Sequence, residues 1–149
     1  MSSAALLFGL NLMATWYLVG LIWMVQAVHY PMFDRVGAEF FSRYEADHNR
    51  LTTPIVGPPM LLELATGLTL LFIAPAGFPK WAAWLGIALI AGIWLSTVTL
   101  QIPRHGELMN GFQELAHRRL VSSNWIRTVL WSLRGLLIGY FGLRMLGHG

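Results

Sequence analysis

The chain contains no cysteine. A disulfide framework, a thiolate nucleophile and a Cys-ligated metal are thereby excluded. Charge is also scarce. Asp, Glu, Lys and Arg make up 11% of the 149 residues, against about 25% in ordinary soluble domains. With 56% of residues hydrophobic, a water-soluble fold of this size is excluded. The net charge of +3 comes from scattered basic residues, which form no basic face, so no nucleic-acid partner is expected. A Gly-rich phosphate loop, a Ser-His-Asp order and a nucleotide fingerprint are all missing. "HGELMNG" (105–111) contains glycines but opens no strand–helix unit. No linker or low-complexity tract divides the chain, so residues 1–149 read as a single domain.

Four long apolar stretches are present: residues 4–28, 54–77, 81–102 and 124–146. About 20 residues of helix cross the hydrocarbon core of a bilayer. Only helices or closed barrels satisfy the backbone there, and the period-two alternation of a barrel is absent. The expected fold is all-α, an integral membrane four-helix bundle. The first stretch is too long for a typical signal-peptide apolar region and lacks a basic flank. Four crossings would place both termini on one side and the long loops, 29–53 and 103–123, on the other. The long loops carry Arg35, Arg43, Arg50, Arg104, Arg118 and Arg119, whereas the opposite side offers Lys80 and Arg144. This bias predicts a multi-pass protein of the cell (inner) membrane with the long loops cytoplasmic. The acids Asp34, Glu39, Glu45, Asp47, Glu107 and Glu114 in the same loops weaken the asymmetry.

One polar phrase occurs twice. "EADHNRLTT" (45–53) and "ELAHRRLVSS" (114–123) both carry Glu-x-x-His-x-Arg-Leu followed by Ser or Thr. Each lies in the same larger order: apolar helix, proline (Pro31 or Pro103), amphipathic segment (about 36–50 or 105–120), motif, apolar helix. Two similar hairpins would account for this, with Thr52/Thr53 and Ser122/Ser123 as N-caps. Duplication accounts for more of the shared phrase, so two amphipathic loop-side helices and an internal pseudo-twofold repeat are expected.

This layout gathers His29, His48, His105 and His117 at one face of the bundle, with only His148 elsewhere. Glu-x-x-His places both side chains on one helical face. Two such motifs with carboxylates from other helices form the ligand set of di-iron and di-manganese bundles. Glu45, His48, His105, Glu114 and His117 are therefore candidate ligands for iron, manganese, copper or zinc. Bis-histidine haem ligation is disfavoured. Against a metal, His48 falls near an apolar stripe of Val36, Phe40 and Tyr44, while His117 falls away from Leu108, Phe112 and Leu115. The simpler account of the motif residues is solvated or capping contacts at the membrane surface.

Charges inside the spans are costly and usually find partners. Glu63 is the only acid within a span, and it is expected to pair with Arg127 or Arg134. Asn124, Arg127, Trp131 and Arg134 form one helical stripe. A structural ion pair, a pocket for an anionic or phenolic substrate and a proton relay all fit these groups. Pro58-Pro59 predicts an irregular helix start. Trp81 and Trp125 read as interfacial anchors. Trp16, Trp23, Trp94 and Trp131 lie deeper, where packing is the simpler account and a flat aromatic pocket the alternative. Tyr30 and Tyr44 sit beside the histidines as interfacial anchors or proton donors.

"VHYPMF" (28–33), "PPMLLEL" (58–64) together with the His48 region, and "NWIRTVLWSLRG" (124–135) carry a resemblance. In layout over nearly the whole chain, the sequence resembles small four-helix bacterial membrane proteins and, through them, the anthrone-oxygenase-like family. That family implies oxidation of a polycyclic phenolic by dioxygen, in some members without a cofactor. The four-helix branch itself implies no chemistry. The matching positions are His29, His48, Glu63, Asn124 and Arg127.

The functional expectation is a membrane-embedded oxidoreductase or oxygenase that takes an apolar or aromatic small molecule from the lipid. Its catalytic candidates are His29, Glu63, Asn124, Arg127 and Arg134. Histidine would serve as general base and arginine would stabilise an oxyanion. The alternative is a non-catalytic membrane subunit or ligand-binding protein with a structural Glu–Arg pair, and a homo-oligomer is compatible with either.

Overall fold

The computed structural model describes residues 2–147; His148 lies outside them. Four long helices make up the described residues: α1 (Ser3–Arg35), α2 (Ala38–Leu70), α3 (Lys80–Leu108) and α4 (Glu114–Leu146). The fold is an all-α bundle. Its helices alternate in direction. Asn11 of α1 meets Thr66 of α2, while His29 meets His48. Gln101 of α3 meets Ser123 of α4, while Gly86 lies against Arg134.

The bundle is polar inside and greasy outside. Asn11, Thr15, Glu45, Asn124 and Thr128 are fully buried. Met13, Phe72, Leu95 and Leu143, by contrast, are more than 60% exposed. Helices that are apolar around most of their circumference suit a lipid surround. α1, α3 and α4 are long and apolar enough to cross a membrane. α2 is not among these three. It stops at Leu70 instead of reaching residue 77, and its apolar half carries Glu63, Pro54, Pro58 and Pro59.

Two features of α1 and α3 position the site. Each helix widens into a π-helical turn, Val25–His29 and Thr97–Gln101. Each turn ends two residues before a proline, Pro31 or Pro103. Proline lacks an N–H and its ring crowds the carbonyl four residues back. The chain relieves this by bonding five residues back, Tyr30 N–H to Val25 and Ile102 N–H to Thr97. Both helices then continue past their prolines. The shared device agrees with the repeated layout.

The amphipathic segments are helical but do not form separate helices. The first is the opening half of α2. The second is divided by a break at 109–113, so that its ends belong to α3 and α4. Thr52, Thr53, Ser122 and Ser123 consequently lie inside helices and cap nothing. Thr53 donates to the Asn49 carbonyl (2.6 Å), and Ser123 to that of Leu120 (3.3 Å). The helix also runs through Pro58-Pro59 without the irregular start read from the sequence. The buried stripe at the start of α2 is Phe41, Glu45 and His48, one position on from Phe40, which is exposed.

Candidate functional site

All four helices contribute to one partly open cavity of about 290 Å³. The π turn of α1 leads into Tyr30, and that of α3 into His105 beyond Pro103. α2 supplies His48. α4 supplies Arg127 and Trp131 from the stripe seen in the sequence, and Trp94 of α3 closes the wall. A larger groove of about 500 Å³ lies at the other end of α1 and α4. Leu12, Trp16 and Leu143 help to line it, and no titratable side chain borders it, so it offers no group for acid–base chemistry.

Tyr30, His105 and Glu45 form a hydrogen-bonded chain at its rim. The Tyr30 hydroxyl lies 2.8 Å from His105 Nε2. His105 Nδ1 lies 2.5 Å from Glu45 Oε1, which also accepts from Asn49 (3.1 Å). A carboxylate only accepts. The Nδ1–H of His105 then donates to Glu45, and its Nε2 lone pair is free to accept the phenolic hydrogen. His29 and His48 extend the cluster through a 2.9 Å contact between His29 Nε2 and His48 Nδ1. Thr52 Oγ1 lies 3.2 Å from the same Nδ1. The His48 and His105 rings stack with centroids 5.2 Å apart. Burial, then the neighbouring His105 and His29, push His48 down to about 3. At neutral pH it is an uncharged ring that exchanges hydrogen bonds.

Arg127 is buried, 7% exposed, with its guanidinium over the Trp131 ring at 5.1 Å. Asn124 orients it by accepting from Arg127 Nη1 (3.4 Å), and donates in turn to Gln26 Oε1 (2.9 Å). Glu63 pairs with Arg134, not Arg127. Its Oε1 accepts from Arg134 Nε (3.0 Å) and Thr15 (2.7 Å), and its Oε2 from Trp131 Nε1 (3.1 Å). Arg134 Nη2 also donates to Asn11 (2.7 Å). Neither Glu63 nor Arg134 lines the cavity. This pair supports the wall through Trp131, whereas Arg127 is part of the lining.

The five candidate metal ligands do not meet. Glu45, His48 and His105 gather with His29. His117 is buried elsewhere and bonds the Tyr30 carbonyl through Nε2 (2.8 Å), which corrects the sequence reading that it faces away from the core. Glu114 is exposed and pairs with Arg118 at 3.3 Å. Among the described residues, no group of three or more His, Asp or Glu side chains is arranged to hold a metal ion. The two Glu-x-x-His motifs therefore do different work: Glu45 and His48 bond His105, Asn49, His29 and Thr52, whereas Glu114 and His117 bond Arg118 and the Tyr30 carbonyl.

Comparison with protein-family models, curated proteins and solved structures finds no match for this chain.

Sequence reasoning places Tyr30 beside the histidines but not at the end of a relay. It passes over Gln26 and Gln101, which are buried and link α1 and α3 to α4. An amide in an apolar run shortly before a proline is the available signal.

Proposed function

We propose that this chain is a membrane-embedded oxidoreductase acting on an apolar or aromatic molecule that bears a phenolic or enolic hydroxyl, with dioxygen as the oxidant. The observation that carries this reading is the Tyr30–His105–Glu45 chain, which opens on a cavity that also contains Arg127. A substrate hydroxyl gives its proton to the Tyr30 oxygen while Tyr30 passes its own to His105 Nε2. The resulting imidazolium is held by Glu45. Arg127 stabilises the oxyanion left on the substrate. With anthrone reacting as its enol, the ring methylene becomes a carbonyl: dioxygen accepts four electrons, one oxygen atom bonds to that carbon, and the other leaves as water with the two hydrogens the substrate gives up, one of them returned from His105. The resemblance in "VHYPMF" and "NWIRTVLWSLRG" points the same way. In this scheme Tyr30 and His105 are the catalytic residues and Arg127 holds the anion. Asn124, Glu63 and Arg134 are positioning residues, and His48 completes the wall with His29 bonded behind it.

The scheme uses protons alone, with His105 bonded to both Tyr30 and Glu45. The protein would cross the inner membrane several times, with the long loops cytoplasmic and substrate entering from the lipid. The test is oxygen uptake with anthrone as substrate, using purified protein in nanodiscs. Wild-type protein should consume oxygen, and Tyr30→Phe and Glu45→Gln should each lower the rate on the order of 100-fold. Equal rates with Tyr30→Phe, or no uptake by the wild type, would remove the proposal. The buried Glu63–Arg134 pair, which lies outside the cavity lining, also favours a second reading, a ligand-binding membrane protein without turnover.

A further inference from the structure

Gln101 Nε2 donates to Ser123 Oγ at 3.1 Å, which sets α3 and α4 at one level near the long-loop end. Beside that junction Leu100, Arg104, Arg119, Ser122 and Ser123 line a separate surface pocket of about 300 Å³. The apolar stretches 81–102 and 124–146 end at the same junction, so the pocket stands where the two helices leave the hydrocarbon. Trp125, 46% exposed, lies at this level, where an interfacial ring is at home.

Arg119 and Ser122 are exposed. Arg104 pairs with Glu107 and the adjacent Arg118 with Glu114, but among the described residues no carboxylate pairs with Arg119. The pocket thus keeps a surplus of positive charge. Ser122 and Ser123 give their hydrogens to the Arg119 and Leu120 carbonyls, each at 3.3 Å, which leaves the Ser122 oxygen able to accept. Residues three and four apart share a helical face, and the face through Arg119 and Ser122 continues as Ile126, Val129 and Leu133, each 45–50% exposed. Cations, then a hydroxyl, then an apolar strip follow the order of a phospholipid from headgroup to chain.

We propose that this pocket binds an anionic phospholipid of the phosphatidylglycerol class. Arg104 and Arg119 hold the phosphodiester, Ser122 accepts from a headgroup hydroxyl, and an acyl chain lies along Ile126, Val129 and Leu133. Basic pockets between spanning helices take anionic head groups, and the planar fork of arginine meets two phosphate oxygens at once. The site lies outside the cavity, and its occupancy does not depend on the proposed reaction.

The test exploits the absence of cysteine. Ile126→Cys in the full chain is labelled with bimane and placed in phosphatidylcholine nanodiscs. Nitroxide-labelled phosphatidylglycerol should quench the label at an about 5-fold lower mole fraction than nitroxide-labelled phosphatidylcholine. Adding Arg104→Gln and Arg119→Gln should make the two lipids quench alike. Arg35→Gln with Arg43→Gln removes the same charge from the same end but outside the pocket, and should leave most of the preference. Inorganic phosphate, added at constant ionic strength, should not restore the fluorescence. Equal quenching by the two lipids before the arginines are changed would overturn the proposal, as would a preference that survives the Arg104/Arg119 pair of changes. A preference lost equally with Arg35 and Arg43 would assign diffuse attraction instead of a site, and recovery with inorganic phosphate would assign a soluble anion; either outcome would also overturn it.

Discussion

Glu63 illustrates how little freedom a buried charge has. Thr15, Trp131 and Arg134 engage its carboxylate, and Asn11 takes up a further N–H of Arg134. Removing one member of a buried pair leaves the other charge uncompensated, at a cost of about 3–5 kcal/mol. Glu63→Gln should accordingly lower the melting temperature in detergent sharply, and adding Arg134→Met should recover part of the loss. A double variant no more stable than Glu63→Gln alone would argue against the pair. His48 makes a different prediction. Its folded value of about 3 lies below the ordinary 6.5, so the unfolded chain binds the proton more readily. The stabilisation is complete above pH 6.5 and diminishes as pH falls towards 3. Melting temperature should decline over that window, and His48→Gln should flatten the upper part, above about pH 5, where carboxylates stay ionised. His29, His105 and Glu45 face the same ring, so the comparison with the variant isolates His48. An unchanged slope in His48→Gln would reject this assignment.

At the scale of the element, close approach and local widening do the positioning. Gly86 of α3 faces the Arg134 guanidinium closely enough that a Cβ would overlap it. Gly67 of α2 meets Ile90 and Arg134 in the same layer. Because Glu63 and Asn11 pin Arg134, it has little room to yield. Gly86→Ala is expected to destabilise the bundle by about 1–3 kcal/mol, measured by thermal unfolding in detergent, although alanine is the better helix former. No loss, or a gain, would mean that the guanidinium can shift. The proline-linked π turns act more broadly. Each extra residue in a turn rotates the rest of its helix by about 100°, which changes the faces on which Tyr30 and His105 stand. Helical spacing read from the sequence cannot include that rotation, because it assumes an unbroken α-helix. The α2 stripe differs for another reason: the helix begins at Ala38, and Val36, on which the stripe through Phe40 rests, lies before it in extended backbone.

At the scale of the whole molecule, the absence of native cysteine makes orientation directly measurable. Ala76→Cys lies in the short connection between α2 and α3, and Asn110→Cys in the break between α3 and α4. Both positions are exposed. An impermeant maleimide should label Ala76→Cys in intact spheroplasts and Asn110→Cys only after lysis. The reverse pattern would invert the proposed topology. Composition alone determined that this chain belongs to a lipid surround, because 11% charge cannot solvate a bundle of this length. Sequence also determined the helical class and picked out the polar residues, since a buried Glu, Arg, Asn or His in an apolar run needs a partner. It further limited Glu63 to two arginines. Only the tertiary structure decided which groups meet. Spacing fixes the face of a residue within one helix, but the rotation and register between helices come from packing. Thus Glu45 is buried beside His105, sixty residues away, whereas its counterpart Glu114 in the repeated phrase is exposed on the surface. The cavity, the relay and the arginine-lined pocket all come from that relation between helices, and no single segment contains it.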